Sequence, residues 1–215
     1  MPNLHKVRKI EPLGRHTFRV VLERNDFKFT AGQCVNIGLP GSGINREYSS
    51  YSSETADELV FLIREVDGGT VTPALKKLKA GDQVEVDGPY GEFWIRTPND
   101  GRKYYFVASG TGIAPFHCFV KTYPKLDYQI IHGVRTADEQ YDRADFEGGS
   151  RYAGCVSQGT GGDFKGRVTG YLTEKGVDKN GVYYLCGNRG MINDVYDLLR
   201  EKGVSGTNII TETFF

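Results

Sequence analysis

The pattern of apolar residues changes once along this chain, at Pro98-Asn-Asp-Gly101, and that change limits what it can fold into. Before it, runs rich in β-branched and aromatic residues stand at 17–23, 33–39, 58–66 and 83–87. Several alternate apolar with polar side chains, as half-buried strands do. Turn signals separate them, among them Thr30-Ala-Gly-Gln33, Asp67-Gly-Gly69, Ala80-Gly-Asp82 and Gly88-Pro89. Many short strands punctuated in this way point to an antiparallel barrel. A single helix interrupts them at 71–78, with Ala74, Leu75 and Leu78 on one face. After the change, strands expected at 104–108, 128–134, 152–157, 182–186 and 208–213 alternate with helices at about 112–123, 169–175 and 188–202. That alternation makes a parallel sheet with helices on both faces. The expectation is two domains: an antiparallel β-barrel with one helix over 1–99, and a Rossmann-like α/β domain over 100–215. A chain of 215 residues is long enough for two such cores.

Composition removes several classes of function. Twenty-seven basic residues balance twenty-seven acidic ones, so no overall charge draws the chain to nucleic acid or to a membrane surface. No run of eighteen apolar residues is present to span a bilayer, and the first residues lack the apolar core of a signal peptide. Cys34, Cys118, Cys155 and Cys186 stand far apart, with no Cys-x-x-Cys pair. A metal site and a disulfide framework are therefore not expected, and the chain reads as a reduced cytoplasmic protein.

Six places along the chain carry the chemistry. Lys103–Phe116 reads as a strand, a glycine turn and a helix start. Gly110 and Gly112 let the backbone approach a ligand, and N–H groups there favour phosphate, although such a turn also simply joins a strand to a helix. Ser109 or Thr111 is expected to cap the helix. Arg46-Glu-Tyr-Ser49 in an extended strand puts Arg46 and Tyr48 on one face and Ser49 on the other. A guanidinium beside a phenol ring suits a ligand with phosphate and a flat ring system; a polar strand edge is the competing explanation. Gly69-Thr-Val-Thr72 opens the lone helix, with Thr70 or Thr72 as N-cap, and is also compatible with a second phosphate site. Arg135 lies some twenty residues beyond Gly112, where a ribose 2′-phosphate meets an arginine; this points to NADPH, with a solvated arginine as the alternative. Cys186-Gly187 joins another strand to a helix, and Phe214 and Phe215 end the chain on aromatic groups.

In this order the motifs resemble those of the ferredoxin–NADP reductase family, flavoproteins that pair an FAD-binding barrel with an NADP-binding domain. The resemblance covers essentially the whole chain. It implies that Arg46 binds flavin phosphate, that Tyr48 stacks on the isoalloxazine and that Ser49 hydrogen-bonds near flavin N5. It further assigns Gly69, Thr70 and Thr72 to the flavin pyrophosphate. Gly110, Thr111 and Gly112 are assigned to the NADP pyrophosphate, and Cys186 and Gly187 to the nicotinamide. Glu212 resembles the family's C-terminal acid, and Phe214 or Phe215 its flavin-covering aromatic. Ser49, Cys186 and Glu212 form the implied catalytic set. Gly88-Pro-Tyr-Gly91 is similar to the family turn that closes the barrel. Where some members carry arginine after the third α/β strand, this chain has Ser157-Gln158, and its next arginine is Arg167.

The implied activity is electron exchange between NADPH, with NAD as the other candidate coenzyme, and a carrier protein, ferredoxin or flavodoxin, by a monomer. The alternatives are an NADH-dependent reductase of an oxygenase or of free flavin, and a redox-sensing subunit that binds flavin or nucleotide without turnover.

Overall fold

The computed structural model describes residues 3–98, 100–146 and 151–214. The chain divides into two units: Met1–Ile95 with His117–Thr122, and Arg96–Phe116 with Tyr123–Phe215.

The first unit is a six-stranded antiparallel sheet built from β1 (Asn3–Pro12), β2 (Thr17–Glu23), β3 (Cys34–Gly38), β4 (Asn45–Ser49), β5 (Glu58–Arg64) and β6 (Gln83–Tyr90), in the order β4-β3-β6-β1-β2-β5. Its two end strands meet just beyond β4, where the Tyr51 N–H donates to Val60 O at 2.8 Å and the Val60 N–H donates to the Ser52 hydroxyl at 3.0 Å. Those bonds satisfy main-chain groups that an open edge would leave unpaired. Inward-facing Phe18, Val20, Leu22, Ile37, Phe61 and Val84 fill the core. The lone helix, α1 (Val71–Lys76), buries Val71 and Leu75 against it.

Strand β1 is not among the strands expected from sequence. It pairs with both β6 and β2, yet only His5 and Val7 are buried along it. His5 takes an inward position with half its polarity met: Nδ1 donates to the Glu23 carbonyl at 2.7 Å and the ring packs edge-on against Phe27, while the buried Nε2 has no hydrogen-bond partner. Where His117–Thr122 joins this unit, the His117 ring stacks on Tyr51 with centroids 3.8 Å apart.

The second unit is a parallel sheet of β7 (Tyr104–Ser109), β8 (Tyr128–Val134), β9 (Tyr152–Val156), β10 (Phe164–Lys165), β11 (Val182–Asn188) and β12 (Ile209–Phe214), in the order β10-β9-β8-β7-β11-β12. One face packs Val107, Ile131, Tyr183 and Leu185 against α3 (Val168–Lys175) and α4 (Arg189–Glu201). On the other, Phe106 stacks on Phe116 of α2 (Ala114–Thr122) at 4.9 Å. Strand order reverses between β7 and β11, so the carboxyl ends of those strands flank the crevice where open α/β sheets bind ligands.

Candidate functional site

In the first unit, β4 pairs with β3 so that Arg46 faces Ile37, Tyr48 faces Val35 and Ser49 faces Cys34. Burial rises along the strand, from exposed Arg46 and Glu47 through half-buried Tyr48 to buried Ser49. The Arg46 guanidinium donates to the Asn45 carbonyl at 2.7 Å. Tyr48 packs partly against the barrel core, and its hydroxyl is buried with no hydrogen-bond partner. Burial raises the phenol pKa, so this oxygen stays protonated with a donor and an acceptor to satisfy. A buried polar atom left unmet commonly marks the place of a bound group, and a flavin carries both polar and flat surface for it.

The turn before α1 differs from the expected cap. Thr70 holds the N-cap position with helical angles (φ −86°, ψ −45°) and makes no side-chain cap hydrogen bond. Thr72 is buried inside the helix, and its hydroxyl accepts from the Val66 N–H at 2.9 Å. The threonine therefore closes the 66–72 turn rather than capping the helix. A Cβ at Gly69 would lie 2.9 Å from the Val66 carbonyl, which explains glycine there.

In the second unit the glycine turn is itself the first helical turn: Gly110–Ile113 is a 3₁₀ helix running into α2, earlier than the expected start at Gly112. Neither Ser109 nor Thr111 caps it. Ser109 stands at the N-cap position without a side-chain cap bond, and its hydroxyl accepts from the Asn188 N–H at 2.9 Å, across the crevice floor. The two backbones touch here. A Cβ on Gly112 would sit 2.7 Å from the Gly187 Cα, and one on Gly187 would sit 2.8 Å from the Ser109 carbonyl. Gly187 also holds φ +131°, a conformation glycine adopts without strain.

Beside this contact, β11 and β12 set Cys186 opposite Glu212 and Asn188 opposite Phe214. The fully buried Cys186 points its thiol at Glu212 Oε2, 3.9 Å away. Burial, and then the neighbouring carboxylate, push the thiol far above its ordinary pKa, so it is a neutral S–H and not a nucleophile. Phe214 is half-buried, and Phe215 lies outside the described residues. Gly110–Gly112, Cys186, Gly187 and Glu212 thus gather at one end of the sheet.

Arg135 and Arg167 are both exposed, one just beyond β8 and one at the start of α3. The Arg135 N–H donates to Glu139 Oε2 at 2.8 Å, which holds a carboxylate at the end of β8. Two residues that the sequence reading passed over belong in this region. One is Glu139. The other is His132, fully buried under the glycine turn with Nε2 2.8 Å from the Gly110 carbonyl. The sequence signal for His132 was a polar ring inside the apolar run Tyr128-Gln-Ile-Ile-His-Gly-Val134.

Comparison with known proteins identifies both domains. Residues 6–95 match the oxidoreductase FAD-binding domain and residues 106–197 the oxidoreductase NAD-binding domain. The chain is 32% identical, over 88% of its length and 60% of the relative's, to the toluate 1,2-dioxygenase electron transfer component of Pseudomonas putida. It is 30% identical to the aromatic O-demethylase reductase subunit of an Amycolatopsis strain, over 97% of this chain and 68% of that one. It thus spans three fifths to two thirds of the length of these relatives. The fold matches a ferredoxin NADP+ reductase from Neisseria gonorrhoeae, solved with bound FAD and NADP, with a TM-score of 0.90 and 22% identity, over 99% of this chain and 98% of that one.

The fold and the two matched domains define a flavoprotein oxidoreductase with FAD-binding and NAD(P)-binding domains. The chain belongs to the ferredoxin–NADP reductase family. Among the described residues, no helix is long and apolar enough to cross a membrane.

Proposed function

We propose that this chain is an FAD-dependent NAD(P)H reductase that passes electrons singly to a redox protein. The observation that supports it most directly is the contact of Gly112 with Cys186-Gly187 at the point where strand order reverses, beside the Cys186–Glu212 pair. Bound FAD supplies the chemistry, accepting a hydride and releasing electrons one at a time.

The chain's own residues bind and orient. Exposed Arg46 offers a guanidinium to the flavin phosphate, and Tyr48 offers a ring edge and an unmet hydroxyl. Ser49 supplies a hydroxyl toward flavin N5, while Gly69, Thr70 and Thr72 line the flavin pyrophosphate. Gly110, Thr111 and Gly112 present N–H groups to the dinucleotide pyrophosphate. The small Cys186 and Gly187 leave room for a nicotinamide, Glu212 holds its polar edge, and Phe214 offers an aromatic face to a flat ring.

Two observations bear on coenzyme and acceptor. Glu139, held at the end of β8, stands where a carboxylate commonly meets a ribose 2′-hydroxyl, and so favours NADH. With the dioxygenase and O-demethylase components as relatives, it supports a reductase serving an oxygenase. The exposed Arg135 side chain favours a second reading, NADPH as donor with ferredoxin or flavodoxin as carrier, with Arg167 as a further cation for the 2′-phosphate.

Steady-state rates with NADH and NADPH, each against a [2Fe–2S] ferredoxin and a flavodoxin, test both. At least tenfold preference for NADH with the ferredoxin supports the first; preference for NADPH supports the second. FAD-loaded protein that reduces no acceptor with either coenzyme contradicts both and favours a non-catalytic sensor.

A further inference from the structure

We propose that His132 is a positioning residue for dinucleotide binding: it fixes the peptide between Gly110 and Thr111 and so aims the Thr111 N–H at the pyrophosphate. This rests on the dinucleotide-binding reading of the turn and adds a residue whose function lies beneath it.

The two partners of His132 decide its tautomer. The Gly110 carbonyl can only accept, so Nε2 carries the hydrogen and donates at 2.8 Å. Nδ1 must then accept, and the Tyr152 hydroxyl donates to it, also at 2.8 Å. Burial lowers the imidazole pKa to about 4, which keeps this neutral form through the neutral range.

A peptide unit is planar and trans, so its C=O and N–H point in opposite directions. Turning the Gly110 oxygen inward to His132 turns the Thr111 N–H outward. Gly110 needs such a hold. It sits at φ +55°, a left-handed conformation open to glycine, and no neighbouring atom lies within 4 Å of where a Cβ would be, so the His132 hydrogen bond is the side-chain contact that holds this peptide. Gly112, wedged against Cys186 and Gly187, needs none.

Tyr152 is anchored in turn. Its ring stacks on Phe146 at 5.8 Å, and the Arg143 guanidinium lies 5.2 Å from its centroid. Arg143 pairs with Asp163 at 2.8 Å and with Gln140 at 3.0 Å, and the second Asp163 oxygen accepts from the Gly154 N–H. Strand register makes this possible: Tyr152 stands opposite Ile130, two residues before His132 on the same face of the sheet.

The test compares His132→Leu, His132→Gln and His132→Asn in the FAD-loaded chain, with Kd for NAD+ and NADP+ by calorimetry and kcat and KM with the preferred coenzyme. The Gln amide nitrogen reaches the place of Nε2 and the Asn amide nitrogen only that of Nδ1. His132→Leu is expected to raise Kd and KM about tenfold, which corresponds to about 1.4 kcal/mol, with kcat changed far less. His132→Gln should recover most of that loss, and His132→Asn should not. If His132→Leu does not fold, the Gln and Asn variants carry the comparison alone. Equal affinity in Gln and Asn variants, or a loss confined to kcat, overturns the inference while leaving the functional reading intact. A wild-type chain that binds neither coenzyme overturns the functional reading, and the inference with it.

Discussion

The Cys186 thiol and the Glu212 carboxylate face each other at 3.9 Å because β11 and β12 run parallel in a register that makes these two residues direct neighbours. The thiol is fully buried and the carboxylate half-buried. Only the protonated thiol can donate to Glu212, and burial together with that carboxylate keeps it protonated.

Alkylation checks this. All four cysteines are free and buried. Native protein treated with iodoacetamide at pH 8 should leave Cys186 unmodified, whereas denatured protein should label all four, as read by peptide mass spectrometry. Rapid labelling of Cys186 in the native state would show a reactive thiolate.

Gly112→Ala should be costly. Its Cβ would press on the Cys186–Gly187 backbone, which has no side-chain freedom to yield, and overpacking of this kind costs about 1–3 kcal/mol. Urea unfolding should show that loss, together with weaker dinucleotide binding. Unchanged stability and affinity would mean the crevice floor is looser than described.

Tyr48→Phe should change apoprotein and holoprotein in opposite directions. The hydroxyl is buried without a partner, a situation that costs about 1–3 kcal/mol, so removing it should stabilise the apoprotein. In the FAD-bound form the same change removes a hydrogen bond, and FAD affinity should fall. Thermal unfolding with and without FAD gives both signs, and equal shifts in the two forms would remove the hydroxyl from the flavin site.

His132 sets a pH dependence of stability. Its folded pKa is about 4 against an ordinary 6.5, so the unfolded chain binds the proton first as pH falls. The contribution is full above pH 6.5, declines as pH drops below it, and has been lost by about pH 4. His132→Gln should flatten that part of a urea-midpoint profile between pH 4 and 7. A profile of the same slope in both proteins would contradict the burial and hydrogen bonding assigned to the ring.

The strands with strong alternation, the glycine turn and the Arg46–Ser49 motif were legible in sequence because each is a local pattern. Strand β1 was not, since its partners cover the main chain while its side chains are mostly exposed, and a histidine takes an inward position. The cap at α1 was misjudged for a related reason. Thr72 has two uses for one hydroxyl, and the Val66 N–H, six residues back, takes it. His132 depends on register. Nothing within its own strand shows that Tyr152 and Gly110 meet it, because those contacts span 20 and 22 residues.

The most direct test of the central claim is anaerobic rapid mixing of the FAD-loaded chain with NADH and, separately, with NADPH, following the flavin's visible absorbance. Wild-type protein should bleach fully with at least one of them, and Ser49→Ala should slow the bleaching about a hundredfold with little change in coenzyme Kd. A chain that takes up no FAD, or whose bound flavin stays oxidised with both coenzymes, would contradict the account.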